Sequence, residues 1–392
     1  MFIRTLESAH EILCARALWD SWPGSRDSEV DFFLYITSAR SEVLRPYVVL
    51  ALEDTTPEAM LIGRIEQRSV PIRFGYFDLS SPRIRTLTFV DGCLRGKTDD
   101  GTVNLLVGHA LHSLRVGDID VAVFEHVRLD SALYRSVNSL TGRLERGIPR
   151  QQMTRRSLRL PNSSEELYKV LSPGHRQNYR RKGRKLLKDF SGDVQVKSYE
   201  TVSELDVAFS DVETIGRNTY QRTLGVSLRD NPEMRGAAEL FASKGWLRLF
   251  ILYVQGKPIA YWKATAYAGT LWGEYVGYDP EYGPYSPGMY LSLKVLSDIC
   301  DGTRDTDITN VDFGSGDAEY KLLLSNQSCV EEDIWLYGRT VPAVGIKAYS
   351  APILVADRFA KGILQKSRLL QKAKRLWRDR HAARARAKAT DP

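Results

Sequence analysis

Residues 286–290 (Ser-Pro-Gly-Met-Tyr) lie where a loop rich in Pro and Gly gives way to a helix. The amides of a first helical turn have no partner inside the helix, and the helix dipole favours an anion there. Gly288 permits close approach to the backbone, so a pyrophosphate is one candidate ligand. A plain loop followed by a helix with proline near its first position is the competing interpretation, since that arrangement is common.

A basic segment spans residues 175–188 and holds seven Lys or Arg and no acid. Arg176, Arg180 and Arg184 recur at helical spacing, so they share one face of the predicted helix. Arginine clusters clamp phosphates, because the guanidinium fork matches phosphate oxygens. A solvated amphipathic helix is the alternative interpretation. Against it stands the density of like charge, which repels itself unless an anion compensates it.

The run Asp-Phe-Gly-Ser-Gly-Asp at 312–317 ends a predicted strand and precedes Glu319, Tyr320 and Lys321. A D-x-G-x-G pattern can mark an S-adenosylmethionine or nucleotide loop. Only about 75 residues follow it, too few for the rest of a doubly wound sheet. A turn that caps the next helix, with Asp317 as its N-cap, explains the same residues.

The histidines and cysteines do not form a metal-binding pattern. His109 and His112 are three apart on a mostly apolar predicted helix, with no acid or cysteine near enough in sequence to complete a ligand set. The four cysteines are far apart and form no CxxC pair. We therefore expect no metal and no disulfide framework, as in a reducing cytoplasm.

The net charge of +7 is local. Residues 357–392 hold twelve Lys or Arg and three Asp, a net +9, and the segment 175–188 adds +7. The rest of the chain is therefore acidic, near −9. The first twenty residues carry acids and lack a continuous apolar stretch, so no signal peptide is expected, and no apolar run is long enough to span a bilayer.

The order of predicted elements indicates an α/β protein in two related parts. The second half reads as helices, three antiparallel strands, a Gly-containing loop, helix, strand, helix and strand. The first half repeats that order more weakly. We predict an N-terminal domain over 1–155, a second domain over 156–345, and a basic amphipathic tail over 346–392.

The second half resembles a known family. The runs HRQNYRRKGRKL, TYQRTLG, GKPIAY, GYDPEYGPYSPG and DFGSGDAEYK, in this order over roughly residues 160–340, resemble the BioF2-like or CelD-like branch of the GNAT acetyltransferases. These are similar in layout to the Fem peptidyltransferases, which carry two GNAT-like domains. The resemblance implies tandem GNAT-like domains, each with a mixed, mainly antiparallel sheet and flanking helices. The first domain would then be a degenerate copy.

The resemblance also implies a reaction, direct acyl transfer from acetyl-CoA or another acyl-CoA to an amine. The thioester would lie where the strand ending at Tyr278 and the strand ending at Phe313 splay apart. The predicted coenzyme-binding residues are Tyr275, Val276, Gly277, Pro287, Gly288, Met289 and Tyr290. Asp312 and Glu274 are candidate bases, and Tyr320 would protonate the leaving thiolate. The predicted substrate-binding residues are Arg176, Arg180 and Lys321.

The resemblance leaves the acceptor and the donor open. The acceptor is expected to be an amine on a small molecule or a glycan precursor, since relatives of this branch accompany polysaccharide synthesis. A Fem-like aminoacyl-tRNA donor is one alternative, favoured by the two basic blocks, and a non-catalytic GNAT scaffold is another. The expected localisation is cytoplasmic, with a peripheral place at the inner membrane surface as an option.

That option rests on the tail, where an apolar helical face is flanked by basic residues. An RNA, a protein partner or packing of the helix on the protein itself would use the same features. The predicted apolar face consists of Phe359, Ile363, Leu364, Leu370 and Trp377. The predicted basic flanks are Lys361, Lys366, Arg368, Lys372 and Arg375.

Overall fold

The fold comes from a computed structural model that describes residues 1–75, 77–148, 152–217, 227–316 and 318–366. The run TYQRTLG at 219–225, the predicted N-cap Asp317 and the tail beyond residue 366 lie outside the described residues. The strands are β1 (Phe2–Leu6), β2 (Val43–Glu53), β3 (Thr56–Ser69), β4 (Ile72–Phe74), β5 (Phe77–Leu79), β6 (Arg83–Gly96), β7 (Val121–Arg128), β8 (Met153–Arg159), β9 (Val194–Tyr199), β10 (Leu247–Val254), β11 (Lys257–Tyr267), β12 (Thr270–Tyr278), β13 (Asn310–Ser315) and β14 (Gln327–Tyr337).

Helices flank these strands, and three short 3-10 turns lie at Arg26–Ser28, Val202–Glu204 and Pro280–Tyr285. The α-helices are α1 (Ala9–Cys14), α2 (Arg16–Ser21), α3 (Val30–Ala39), α4 (Asp100–Val116), α5 (Ala132–Leu140), α6 (Ser164–Val170), α7 (Pro173–Asp189), α8 (Leu205–Gly216), α9 (Pro232–Ser243), α10 (Pro287–Cys300), α11 (Glu319–Leu324) and α12 (Val341–Lys366).

The chain divides into two compact units. Within the described residues, unit 1 comprises 1–153 and 330–366, and unit 2 comprises 154–329. In unit 1 the strands lie in the order β1, β2, β3, β6, β7, β14. All neighbours are antiparallel except β6 and β7, which run parallel. A hydrophobic core joins this sheet to α3, α4 and α5.

Unit 2 repeats the arrangement, with its strands in the order β9, β10, β11, β12, β13, β8. Again one pair, β12 and β13, is parallel, and the other neighbours are antiparallel. Its core joins the sheet to α6, α7 and α10. The prediction of mixed, mainly antiparallel sheets with flanking helices is therefore confirmed.

Local sequence explains the β10–β11–β12 meander. Two-residue turns join its strands, and both residues of each turn have positive φ: Gln255 (49°) with Gly256 (73°), and Ala268 (49°) with Gly269 (70°). This backbone suits the right-handed twist of the flanking strands, and glycine adopts it without a steric penalty. The meander ends in β12, the strand that neighbours β13 in the sheet.

The last strand of unit 1 comes from beyond the predicted boundary. β8 spans the predicted division at residue 155 and pairs with β13 in unit 2. β14 follows the helices of unit 2 in the chain, yet it pairs with β7 in unit 1. Residues 330–345, placed in the second domain by the sequence prediction, therefore group with unit 1. The start of the predicted tail, from residue 346, also belongs to unit 1, where Ile346 is buried in a small core.

Candidate functional site

The parallel strands β12 and β13 separate in the middle of unit 2. They pair only from Thr270 to Trp272, opposite Asn310 to Asp312. Beyond Trp272, β12 continues for six residues alongside β11. The pairing register of β12 with β11 shifts there, because Gly273 lies opposite Ala264 and Tyr275 opposite Lys263. A bulge bends the strand that carries it, and β12 separates from β13 at this point.

The predicted coenzyme strand, Tyr275 to Gly277, forms the β12 side of this opening. Val276 packs against the core of unit 2. Gly277 is required by its neighbour, because a Cβ there would lie 2.4 Å from Cε1 of Tyr261. The Val276 side chain and the absence of one at Gly277 thus serve packing, and the contribution of these two residues to a ligand would come from the backbone.

Helix α10 begins beside the end of β12. Its N-cap, Ser286, has a left-handed backbone (φ 52°, ψ 57°) and makes no side-chain cap. The Ser286 hydroxyl instead accepts a hydrogen bond from Nζ of Lys182, at 2.7 Å. Pro287 occupies the first turn and Met289 is buried in the core. The amides of Gly288 and Met289 belong to the first turn, so they have no intrahelical acceptor.

A cleft of about 520 Å³ lies beside this helix start, between α7 and α10. Its walls combine three cationic side chains with four tyrosines. They are formed by Tyr168, Tyr179, Arg180, Gly183, Arg184, Leu187, Tyr285, Ser286, Tyr290, Leu293, Lys294 and Ser297. The Arg180 guanidinium lies 4.9 Å from the centre of the Tyr168 ring, a cation–π distance that fixes its direction.

The sequence of α7 explains how the basic helix docks there. Ser172 caps it and Pro173 occupies its first turn. Leu186 is buried, and Gly183 lets α10 approach, since a Cβ at Gly183 would lie 3.3 Å from the Tyr290 ring. The helix thus packs through its small and apolar face, and its cations remain outside the core.

The tyrosines of the cleft do not offset the charge of Arg180, Arg184 and Lys294. A free phenol is already neutral at physiological pH, and burial raises the pKa of Tyr168, Tyr179 and Tyr290 further. Ser and Tyr hydroxyls can donate to an anion, and tyrosine rings can stack on a flat group.

Arg176 lies elsewhere than its two helical partners. Its guanidinium donates to the backbone oxygens of Tyr168 and Leu171, at 2.9 and 3.2 Å. These carbonyls end α6, so Arg176 acts as a C-terminal cap for that helix. Of the two arginines predicted to bind substrate, Arg180 lines the cleft and Arg176 joins two helices. Arg184, predicted on the same face of the basic helix, also lines the cleft. Lys294 lines it too, and the sequence analysis did not single it out.

Glu274 faces the other side of the sheet. Its carboxylate forms an ion pair with Lys263 and accepts a hydrogen bond from Thr265. Lys263 is only 3% exposed in its side chain, and its ammonium lies 4.9 Å from the Phe241 ring centre on α9. A cation this deeply buried requires a carboxylate partner. Glu274 therefore stabilises the fold by neutralising Lys263.

Asp312 shares that face. Its neighbours Val311 and Phe313 are buried in the core of unit 2, so the alternation of the strand turns Asp312 the opposite way. Its carboxylate accepts from Nε of Arg155 at 2.7 Å and from the amide of Gly314 at 2.6 Å. The Arg155 guanidinium also lies 5.4 Å from the Trp272 ring.

Tyr320 and Lys321, at the start of α11, have different contacts. Tyr320 packs edge-on against Phe313, with ring centroids 6.1 Å apart, on the core side of the sheet. Nζ of Lys321 donates to the backbone oxygen of Ser315 at 2.7 Å. Asp312 and Glu274 therefore share one face of the sheet and Tyr320 packs at the other. That these four side chains act together stays a prediction.

Residues 173–322 match the profile of a family described as an acetyltransferase (GNAT) domain. This match extends from the first residue of α7 into α11, so it covers the meander, the strand opening and the start of α10. Unit 2 carries a GNAT domain. No curated protein sequence matches the chain at a significant level.

Solved structures resemble the fold of most of the chain. FemX superimposes with a TM-score of 0.56 and 10% identity, over 88% of this chain and 99% of that one. A conserved protein of unknown function from Bacteroides thetaiotaomicron aligns with a TM-score of 0.51 and 9% identity, over 86% and 100% of the two chains. At these identities the likeness concerns the fold, and it confirms the predicted Fem-like tandem GNAT layout.

Proposed function

We propose that the GNAT domain transfers an acyl group from a phosphorylated donor, in the first instance acyl-CoA, to an amine. One observation carries the proposal: the cationic, tyrosine-lined cleft adjoins the start of α10. That helix start lies next to Tyr278, at the end of the β12 stretch that runs without β13. A donor with a pyrophosphate and an extended arm needs both features. The helix start and Arg184 suit the phosphates, and the open edge of β12 suits the arm.

The reaction would run along that edge. Backbone amides between Tyr275 and Gly277 would polarise the thioester carbonyl. The acceptor nitrogen then bonds to the acyl carbon as the carbon–sulfur bond breaks. The amine proton passes to a base, for which Asp312 is the candidate. The thiolate takes a proton from Tyr320, which would act through the opening between β12 and β13 from the other face of the sheet. The acceptor would be an amine on a small molecule or a glycan precursor.

A Fem-like aminoacyl-tRNA donor is the second candidate. The observation that favours it is the outer face of α7, where Arg181, Lys185 and Lys188 are exposed beyond the cleft. A pyrophosphate does not need so many cations, whereas a nucleic-acid backbone contacts an extended basic surface.

Charge reversals on α7 test both candidates with a matched control. Arg184→Glu changes the cleft, and Arg181→Glu changes the same helix outside the cleft lining. For an acyl-CoA donor, calorimetry should show acetyl-CoA binding weakened roughly 10- to 100-fold by the first change and little by the second. For an aminoacyl-tRNA donor, both changes should weaken tRNA binding comparably. Failure of the wild-type protein to bind either donor would favour a non-catalytic scaffold and refute the proposal.

A further inference from the structure

Helix α12 packs on unit 1 through one narrow face. Ile346 lies in a small core with Trp335 and Tyr337, and Ser350 is buried beside it. Further along, the carboxylate of Asp357 accepts a hydrogen bond from the amide of Gly75 at 2.8 Å, which joins the helix to the β4–β5 hairpin. Asp357 is only 9% exposed. The helix is thus held in place, and its opposite face is defined.

That opposite face is apolar. Over 341–360 a single charged residue, Arg358, is among the exposed positions. Phe359 is 72% exposed and Val341 86%, the two ends of this stretch. The exposed stripe consists of Val341, Val344, Gly345, Ala348, Tyr349, Pro352, Val355, Ala356 and Phe359.

A solvent-facing helix normally presents polar residues to water. A continuous apolar stripe on an otherwise packed helix marks a surface that another molecule or a membrane covers. The charge of the helix and of the sequence after it indicates which of these it is. The only acid of α12, Asp357, is turned inward and bonded, so the described helix offers no exposed negative charge. The sequence that follows, 361–392, holds eleven Lys or Arg against two Asp.

We propose that the exposed stripe of α12 docks on the surface of an anionic membrane. An apolar face followed by dense positive charge lies in the headgroup layer and gains from acidic lipids. No helix among the described residues is long and apolar enough to cross a bilayer, which agrees with a surface position for α12. An enzyme held there would meet acceptors that are themselves attached to lipid.

Vesicle co-sedimentation of the full-length chain tests this docking. The vesicles are phosphatidylcholine alone, or phosphatidylcholine with phosphatidylglycerol. The variant is Phe359→Ser, and the matched control is Phe77→Ser, which removes an equally exposed phenyl ring (74%) at the β4–β5 hairpin. Both side chains are exposed, so both variants should fold, which circular dichroism checks.

We expect wild-type protein and the Phe77 variant to sediment with the phosphatidylglycerol vesicles and not with phosphatidylcholine alone. The Phe359 variant should partition into the vesicles at least about tenfold more weakly, since it loses a phenyl ring that the membrane would bury. Equal binding of the Phe359 variant and wild type overturns the proposal. So does equal binding to both lipids. A wild-type dimer that Phe359→Ser dissociates, with no lipid binding, would assign the stripe to a second copy of the chain instead.

Discussion

Gly288 offers the sharpest test of the donor site, through replacement by glutamate. Gly288 is the second residue of α10, beside the cleft. A Cβ there would have Tyr278 as its nearest neighbour, at an ordinary contact distance of 3.8 Å. Neither alanine nor glutamate therefore clashes at its first atom. The substitution changes charge at the site without disturbing the packing beneath it.

Gly288→Glu should leave the protein at least as stable and should weaken donor binding. A carboxylate in the first turn interacts favourably with the helix dipole, by about 0.3–1 kcal/mol, and loss of a helical glycine adds up to about 1 kcal/mol. The free energy of unfolding should therefore stay the same or rise. Against a phosphate roughly 5 Å away, the same charge costs about 1–3 kcal/mol for effective dielectric constants between about 80 and 20. Donor affinity should fall roughly 5- to 200-fold.

Isothermal titration calorimetry with acetyl-CoA measures that loss, and thermal denaturation measures stability. Gly288→Ala is the control, because it adds the methyl group without the charge, and its affinity should stay within a few-fold of wild type. The deficit of the glutamate variant should shrink in high salt, which screens exposed charges. Unchanged affinity in a stable glutamate variant would refute a phosphate site at α10. An equal loss in the alanine variant would refute the electrostatic explanation.

Three further predictions concern stability and turnover. Gly277→Ala should cost about 1–3 kcal/mol in urea denaturation, because the new methyl group overlaps a tyrosine ring on β11. The pKa of His126 is raised to about 9, chiefly by its hydrogen bond to Glu331. The free energy of unfolding that this pair contributes is complete below about pH 6.5 and is lost as the pH rises through 9. Urea midpoints should therefore fall across that window in the wild type and not in His126→Asn. Asp312→Asn should lower turnover about 100-fold with donor affinity within a few-fold, whereas Glu274→Gln should cost about 3 kcal/mol of stability; steady-state kinetics and denaturation separate the two.

Local sequence predicted the parts of the fold that local physics determines. Two-residue turns with glycine at 256 and 269 specify the meander, and proline and glycine before residue 289 specify where α10 begins. The pairing of β14 with β7 could not be predicted in this way. It joins residues about 200 positions apart, and either β8 or β14 satisfies the pattern of a last strand. The choice depends on tertiary pairing, which short-range propensity does not encode.

The site shows the same division. Gly288 and Arg180 could be found because helix starts and arginine clusters have sequence patterns of their own. Lys263 was missed, although a lone lysine in the apolar run IAYWKATAYA is a usable signal. A buried strand position that carries an ammonium implies a carboxylate opposite it. Arg155 was missed for a different reason, since it precedes the predicted boundary and reaches Asp312 only after β8 joins this sheet.

The two carboxylates on the sheet face differ in how much each can change during a reaction. A base must accept a proton, and a protonated Glu274 would leave the ammonium of Lys263 almost wholly buried without its counter-charge. Asp312 has more freedom, because its partner Arg155 is 16% exposed in its side chain and also rests on the Trp272 ring. The amide of Gly314 donates to the other carboxylate oxygen of Asp312. Of the two carboxylates, Asp312 is therefore the one that we propose as the base, and it lies at the residue where β13 stops pairing with β12.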